Sequence, residues 1–159
     1  MRKAILTIFV CINLLLSYTL TLPGATTNRD SMLVIPETFI LDTLTIYNPT
    51  TKQCDRDPLV TASNKRIDIH ELRAGTIRWM ALSRNMLKRW GGVLNYGDTI
   101  FLQAGDPAVD GKWVIQDTMN KKFINRGDLL FDAARTRGMW KNVTMVRKKK
   151  YYITTESNL

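Results

Sequence analysis

The sequence has 159 residues, of which 23 are Lys or Arg and 14 Asp or Glu, giving a formal net charge of +9 with 45% apolar and 23% charged residues. One globular domain fits these figures; a multidomain enzyme, a collagen, a coiled coil or a chain disordered throughout does not. Excess positive charge favours acidic surfaces, but no RNP-like or helix-turn-helix pattern is present, so nucleic acid is not an expected partner.

In chain order, Arg2 and Lys3 precede a mostly apolar run over 4–22, and no charged residue follows before Arg29. Residues 1–25 therefore read as a secretory signal peptide, with Gly24 and Ala25 as the small residues near a cut. Pro23 fits the small-x-small rule badly, so an uncleaved anchor, with membrane association through this segment, is the alternative. Either way the body is expected to be exported, to the periplasm, the cell envelope or the extracellular space. Residues 26–42 read as an N-terminal extension, 43–153 as the folded domain and 154–159 as a frayed tail.

Apolar segments at 39–47, 59–62, 77–82, 99–102, 113–115 and 143–146 alternate with turn signals such as Asn48-Pro49, Asp57-Pro58, Gly97-Asp98, Asp106-Pro107 and Asp110-Gly111. Short strands at these intervals predict a small barrel or sandwich. Two short helices are expected to interrupt it. One spans 84–90, capped by Ser83 and stopped by Gly91, and the other spans 129–137 and ends at Gly138. The four tryptophans, Trp79, Trp90, Trp113 and Trp140, are expected mainly in the core. The run Arg147-Lys148-Lys149-Lys150 reads as a solvated strand end.

Cys11 lies in the targeting segment, so Cys54 is the single cysteine expected in the mature chain. One cysteine and one histidine, His70, supply no metal-ligand spacing, so neither a metal nor a cofactor is expected. His70 sits in a polar stretch and reads as a surface residue. Chemistry is left to carboxylates. Alternation along a strand puts Trp113, Ile115 and Asp117 on one face; if that face is inward, desolvation favours the neutral, proton-donating form of Asp117. Alternatively, Asp117-Thr118 shapes a turn and Asp128 caps the helix at Leu129.

The string Val114-Ile115-Gln116-Asp117-Thr118, a turn, and then Asp128-Leu129 is similar to the paired-aspartate signature of three-aspartate (3D) domains, a family that includes the catalytic domain of membrane-bound lytic transglycosylase A. Upstream, Thr45-Ile46-Tyr47 resembles the family's Thr-x-Tyr strand and Thr61-Ala62 its Thr-Ala step. Trp79-Met80-Ala81-Leu82-Ser83 resembles its Ala-x-Asp strand, and Gly97-Asp98-Thr99-Ile100-Phe101-Leu102 its Gly-x-x-Val strand. Downstream, Ala133-Ala134 through Gly138 and Val143-Thr144-Met145 are similar to its closing helix and strand.

The resemblance implies a mainly β fold, a six-stranded double-psi β-barrel with one or two short helices, that acts on peptidoglycan glycan strands. It implies a lytic transglycosylase cleaving the bond between N-acetylmuramic acid (MurNAc) and N-acetylglucosamine (GlcNAc). Asp128 matches the catalytic acid and Asp117 the supporting aspartate, with Ser83, Tyr47, Thr61 and Thr118 as substrate-binding residues. The sequence departs from the family at Ser83, where the first aspartate falls, and at Met119-Asn120, where two glycines are usual. These departures keep a second expectation open, a non-catalytic glycan-binding or structural barrel of the envelope.

Overall fold

Two long strands frame the fold, β1 (Ser31–Tyr47) and β6 (Met139–Ile153), and four shorter ones lie between them in sequence: β2 (Trp79–Leu82), β3 (Thr99–Gln103), β4 (Gly111–Thr118) and β5 (Arg126–Leu130). The computed structural model describes residues 31–54, 56–135 and 137–153. The expected signal peptide and the 154–159 tail lie outside them. Residues 32–152 make one unit.

The strands form a single mainly β sheet in the order β1-β5-β2-β4-β3-β6, which closes on itself. β1 runs parallel to β5 and β2 parallel to β4, whereas β2 pairs antiparallel with β5, and β3 antiparallel with both β4 and β6. Two placements follow from this order. β5 lies between β1 and β2, and β2 lies between β4 and β5, so these two pairs of chain-consecutive strands each have a third strand inserted between their members.

Alternation along the strands sorts side chains into two apolar clusters. Leu44, Met80, Leu82, Ile100, Leu102, Trp113, Ile115, Leu129, Val143 and Met145 fill one. Tyr47, Ala81, Met119 and Leu130 leave the opposite face of the sheet and pack with Ile67, Leu72 and Ile77 from the β1–β2 connection. That long connection carries the one α-helix among the described residues, α1 (Ile69–Arg73). Asp68 caps it by accepting hydrogen bonds from the backbone amides of His70 (2.7 Å) and Glu71 (3.1 Å).

Several expected elements are corrected. The segment 84–90 forms two separate 3-10 turns, Arg84–Met86 and Lys88–Trp90, and Gly91 ends the second in the left-handed conformation (φ 92°). Ser83 does not cap them with its side chain, because its hydroxyl is engaged by β5. Among the described residues the expected helix over 129–137 is not formed: Leu129 and Leu130 belong to β5, held between β1 and β2. A short, fully apolar run has no periodicity to separate strand from helix, and here the neighbouring strands decide it. The 59–62 segment contributes only an isolated bridge between Val60 and Arg66. β1 reaches back to Ser31, so most of the expected extension continues the first strand. Trp113 is buried as expected, while Trp90 is exposed.

Candidate functional site

β2 is only four residues long, yet it sits between the two strands that carry the paired aspartates. Ala81 at its middle is opposite Asp117 of β4 on one side and Asp128 of β5 on the other, and Asp128 is in turn opposite Thr45 of β1. Cross-strand partners share a face of the sheet. Thr45, Asp128, Ala81 and Asp117 therefore form a row across four adjacent strands, on the face away from the main core.

The expectation that Asp117 shares a face with Trp113 and Ile115 is corrected by a bulge. Ile115 is opposite Met80 and Asp117 opposite Ala81, the very next residue, so Gln116 is an extra residue in β4 and reverses the alternation beyond it. Trp113 and Ile115 enter the main core, while Asp117 turns to the other face. The β1–β2 connection locks the bulge. Ser63 donates its amide to the Gln116 carbonyl (3.1 Å) and its hydroxyl to Gln116 Oε1 (2.6 Å).

The same connection brings the amide of Ala62 onto Asp117 Oδ1 at 3.0 Å. That oxygen also accepts from the amide of Thr118 (2.8 Å), and Oδ2 accepts from the Tyr47 hydroxyl (3.1 Å). Tyr47 is largely buried, and burial first, then the charge of Asp117, pushes its hydroxyl well above the usual tyrosine range, which keeps it a donor. Asp128 has a different environment. Thr45 Oγ1 donates to its Oδ1 at 2.8 Å. Burial raises its carboxyl to about 6; the Thr45 hydrogen bond opposes that rise, and the charge of Asp117 adds to it. Two carboxylates on one floor thus differ in hydrogen bonding, the kind of difference that divides acid–base roles.

Both aspartates open into a cleft of about 770 Å3, lined also by Tyr47, Thr61, Ala62, Thr118, Met119 and Asn120. Both keep partial solvent access. Of the expected substrate-binding residues, Tyr47, Thr61 and Thr118 are brought together here. The Thr61 hydroxyl is turned to Lys65, accepting from its amide and donating to its carbonyl (3.2 Å each), and that of Thr118 donates to the Leu82 carbonyl at 3.4 Å. Ser83 stands apart. It is fully buried, its hydroxyl accepts from the amide of Arg126 at 2.9 Å and lies against Met119 Sδ, and it does not line the cleft. Its expected contact with substrate is corrected to a tie between the end of β2 and the start of β5.

Three contributors to the site had no role assigned from the sequence, although Ala62 and Ala81 lie within its motif strings. Ala81 supplies the small floor between the acids, the amide of Ala62 holds Asp117, and Arg84 is the one cationic side chain among the described lining residues. The spacing of Thr45 and Tyr47 was the available signal for the first strand's part, since residues two apart share a strand face. Cys54 also lines the cleft and donates Sγ to the Asn48 carbonyl (3.4 Å), whereas His70 sits on α1 and does not line it. Among the described residues no three His, Cys, Asp or Glu side chains are grouped as a metal ion would require. No protein-family model matches the sequence, and no curated protein matches it.

Proposed function

We propose that this chain is an exported lytic transglycosylase of the three-aspartate type, acting on the MurNAc–GlcNAc bond of peptidoglycan glycan strands, with Asp128 as acid and base. The observation that carries the reading is Asp128 itself, a carboxyl raised to about 6 on the floor of a cleft, across Ala81 from a second aspartate. The order of strands supports a double-psi barrel as its frame, since β1 and β2 flank β5 while β4 and β5 flank β2.

In the proposed reaction protonated Asp128 gives its proton to the glycosidic oxygen as the bond to the MurNAc anomeric carbon breaks. The C6 hydroxyl of the same sugar attacks that carbon and forms a 1,6-anhydro ring, and the Asp128 carboxylate takes the hydroxyl proton. The nucleophile is internal, so the carboxylate pair need not meet the spacing of retaining or inverting hydrolases. Asp117, fixed by three donors, keeps a negative charge near Asp128 and favours its protonated form.

Mass spectrometry of a peptidoglycan digest tests this. Wild type should release fragments with 1,6-anhydromuramic ends, and Asp128→Asn should release none. Unchanged product from Asp128→Asn ends the mechanism. Wall binding by both proteins without product selects the non-catalytic glycan-binding barrel, and neither binding nor product leaves a structural barrel of the envelope.

A further inference from the structure

β1 and β6 run on well past the rest of the sheet. β5 pairs with β1 only over Thr43–Tyr47, and β3 pairs with β6 only over Thr144–Arg147, so residues 32–40 and 148–152 continue past those ladders as an arm whose base still touches the body: Phe39 packs on the main core and Lys148 lies over the Phe101 ring of β3 at 5.0 Å. Its base is fixed by Arg147, which bonds Glu37 of β1 and, at 2.6 Å, Asp98 before β3. The arm is rich in exposed apolar groups: Met32, Leu33, Val34, Ile35 and Ile40 from β1, with Tyr151 and Tyr152 from β6. Lys148, Lys149 and Lys150 beside them are exposed too.

Alternation from the Glu37–Arg147 contact assigns these residues to faces. Leu33, Ile35, Lys149 and Tyr151 share the face of that ion pair; Met32, Val34, Lys148, Lys150 and Tyr152 share the other. Both faces therefore carry two aliphatic residues on the β1 side and a tyrosine on the β6 side, with one lysine on the first face and two on the second. The arm is divided lengthwise, with an aliphatic margin and a cationic one, and tyrosines near its end. Aliphatic residues, tyrosines and lysines in this arrangement match the layers of a bilayer surface: acyl chains, interface and anionic headgroups.

We propose that this arm docks on anionic lipid membranes, inserting its β1 margin shallowly while Lys148, Lys149 and Lys150 meet lipid phosphates. Among the described residues no further strand covers the outer edges of β1 and β6 here, and backbone polar groups left there cannot be satisfied by hydrocarbon, which favours the interface over the bilayer core. Lysines on both faces repel a second copy of the same arm at its cationic margin. A soluble polyanion would match the lysines and leave the aliphatic margin in water. The lysine run read from sequence as a solvated strand end thus gains a partner, independently of what the cleft does.

Co-sedimentation of the full-length chain with vesicles of phosphatidylcholine alone, or of phosphatidylcholine with an equal part of phosphatidylglycerol, tests the proposal. The apolar 4–22 run partitions without regard to headgroup charge but follows Arg2 and Lys3, so the readout is the difference between the two vesicles in wild type set against the same difference in the lysine variant. Binding should be roughly 100-fold stronger with phosphatidylglycerol, about fivefold per lysine, and the triple variant Lys148→Gln, Lys149→Gln, Lys150→Gln should lose most of that preference. Leu33→Asn with Ile35→Asn should weaken binding to both vesicles. Wild-type preference should also fade as salt rises, a measurement that needs no variant. Equal binding to both vesicles, a salt-insensitive preference, an unchanged triple variant, or an assembly of copies that sediments without lipid overturns the proposal.

Discussion

Asp128 and Asp117 share a cleft floor but differ in what touches them, and the difference is measurable as pH dependence. Asp128 binds its proton more tightly in the folded chain than at its ordinary value of 3.8. Its neutral form favours folding fully below about pH 4, and that contribution is lost as pH rises through about 6. At 1.36 kcal/mol per pKa unit the loss is about 3 kcal/mol in total. Asp128→Asn keeps an acceptor for Thr45 and cannot ionise, so it should match wild type in stability near pH 4 and exceed it by roughly that amount at pH 8, as followed by chemical denaturation at each pH. If Asp128 is the acid, kcat/KM of wild type should fall tenfold per pH unit above about 6. Tyr47→Phe removes one of three donors to Asp117 and leaves the ring in place. It should cost about 1 kcal/mol of stability, and, through a less firmly held Asp117, lower turnover about tenfold with little change in KM. Unchanged turnover would show that the hydroxyl only fills space.

At the scale of elements, the site depends on β2 being short and small at its centre. Ala81 is nearly buried between the strands bearing the two acids and lines the cleft, so Ala81→Leu should cost about 1–3 kcal/mol through overpacking and also close the floor, with glycan affinity measured by wall pull-down falling more than thermal stability predicts. Arg147 ties β6 to Glu37 and Asp98 with its side chain 12% exposed. Arg147→Leu strands two partly buried carboxylates and should lower unfolding free energy by about 2–3 kcal/mol, read from the denaturation midpoint. The cores of β2 and β3 were legible because β-rich apolar stretches lie between clear turn signals. β5 was not legible, since Asp128-Leu129-Leu130 followed by Ala133-Ala134 suits a capped helix equally well until two strands claim it. α1 was hidden by its length, five residues with Leu72 as its buried anchor. The bulge at Gln116 left no local mark either. The residue that holds it is Ser63, on a distant loop, and a one-residue shift reverses every side chain beyond it.

At the scale of the molecule, the sequence made the strand content and the two acids visible, because composition, turns and an ordered set of motifs are local properties. Closure of the sheet and the insertion of β5 and β2 between chain neighbours are long-range facts, and they alone bring Asp117 and Asp128 to either side of Ala81. Ser83 illustrates the limit from the other side: its motif position suggested contact with substrate, yet the fold buries it where β2 meets β5. The proposed chemistry therefore turns on the state of one carboxyl in the assembled site. Carbon-13 NMR titration of the Asp128 carboxyl in wild type and in Asp117→Asn measures it directly. The prediction is a midpoint near 6 in wild type that moves down when the Asp117 charge is removed; a wild-type midpoint near 4, unmoved by Asp117→Asn, would contradict it.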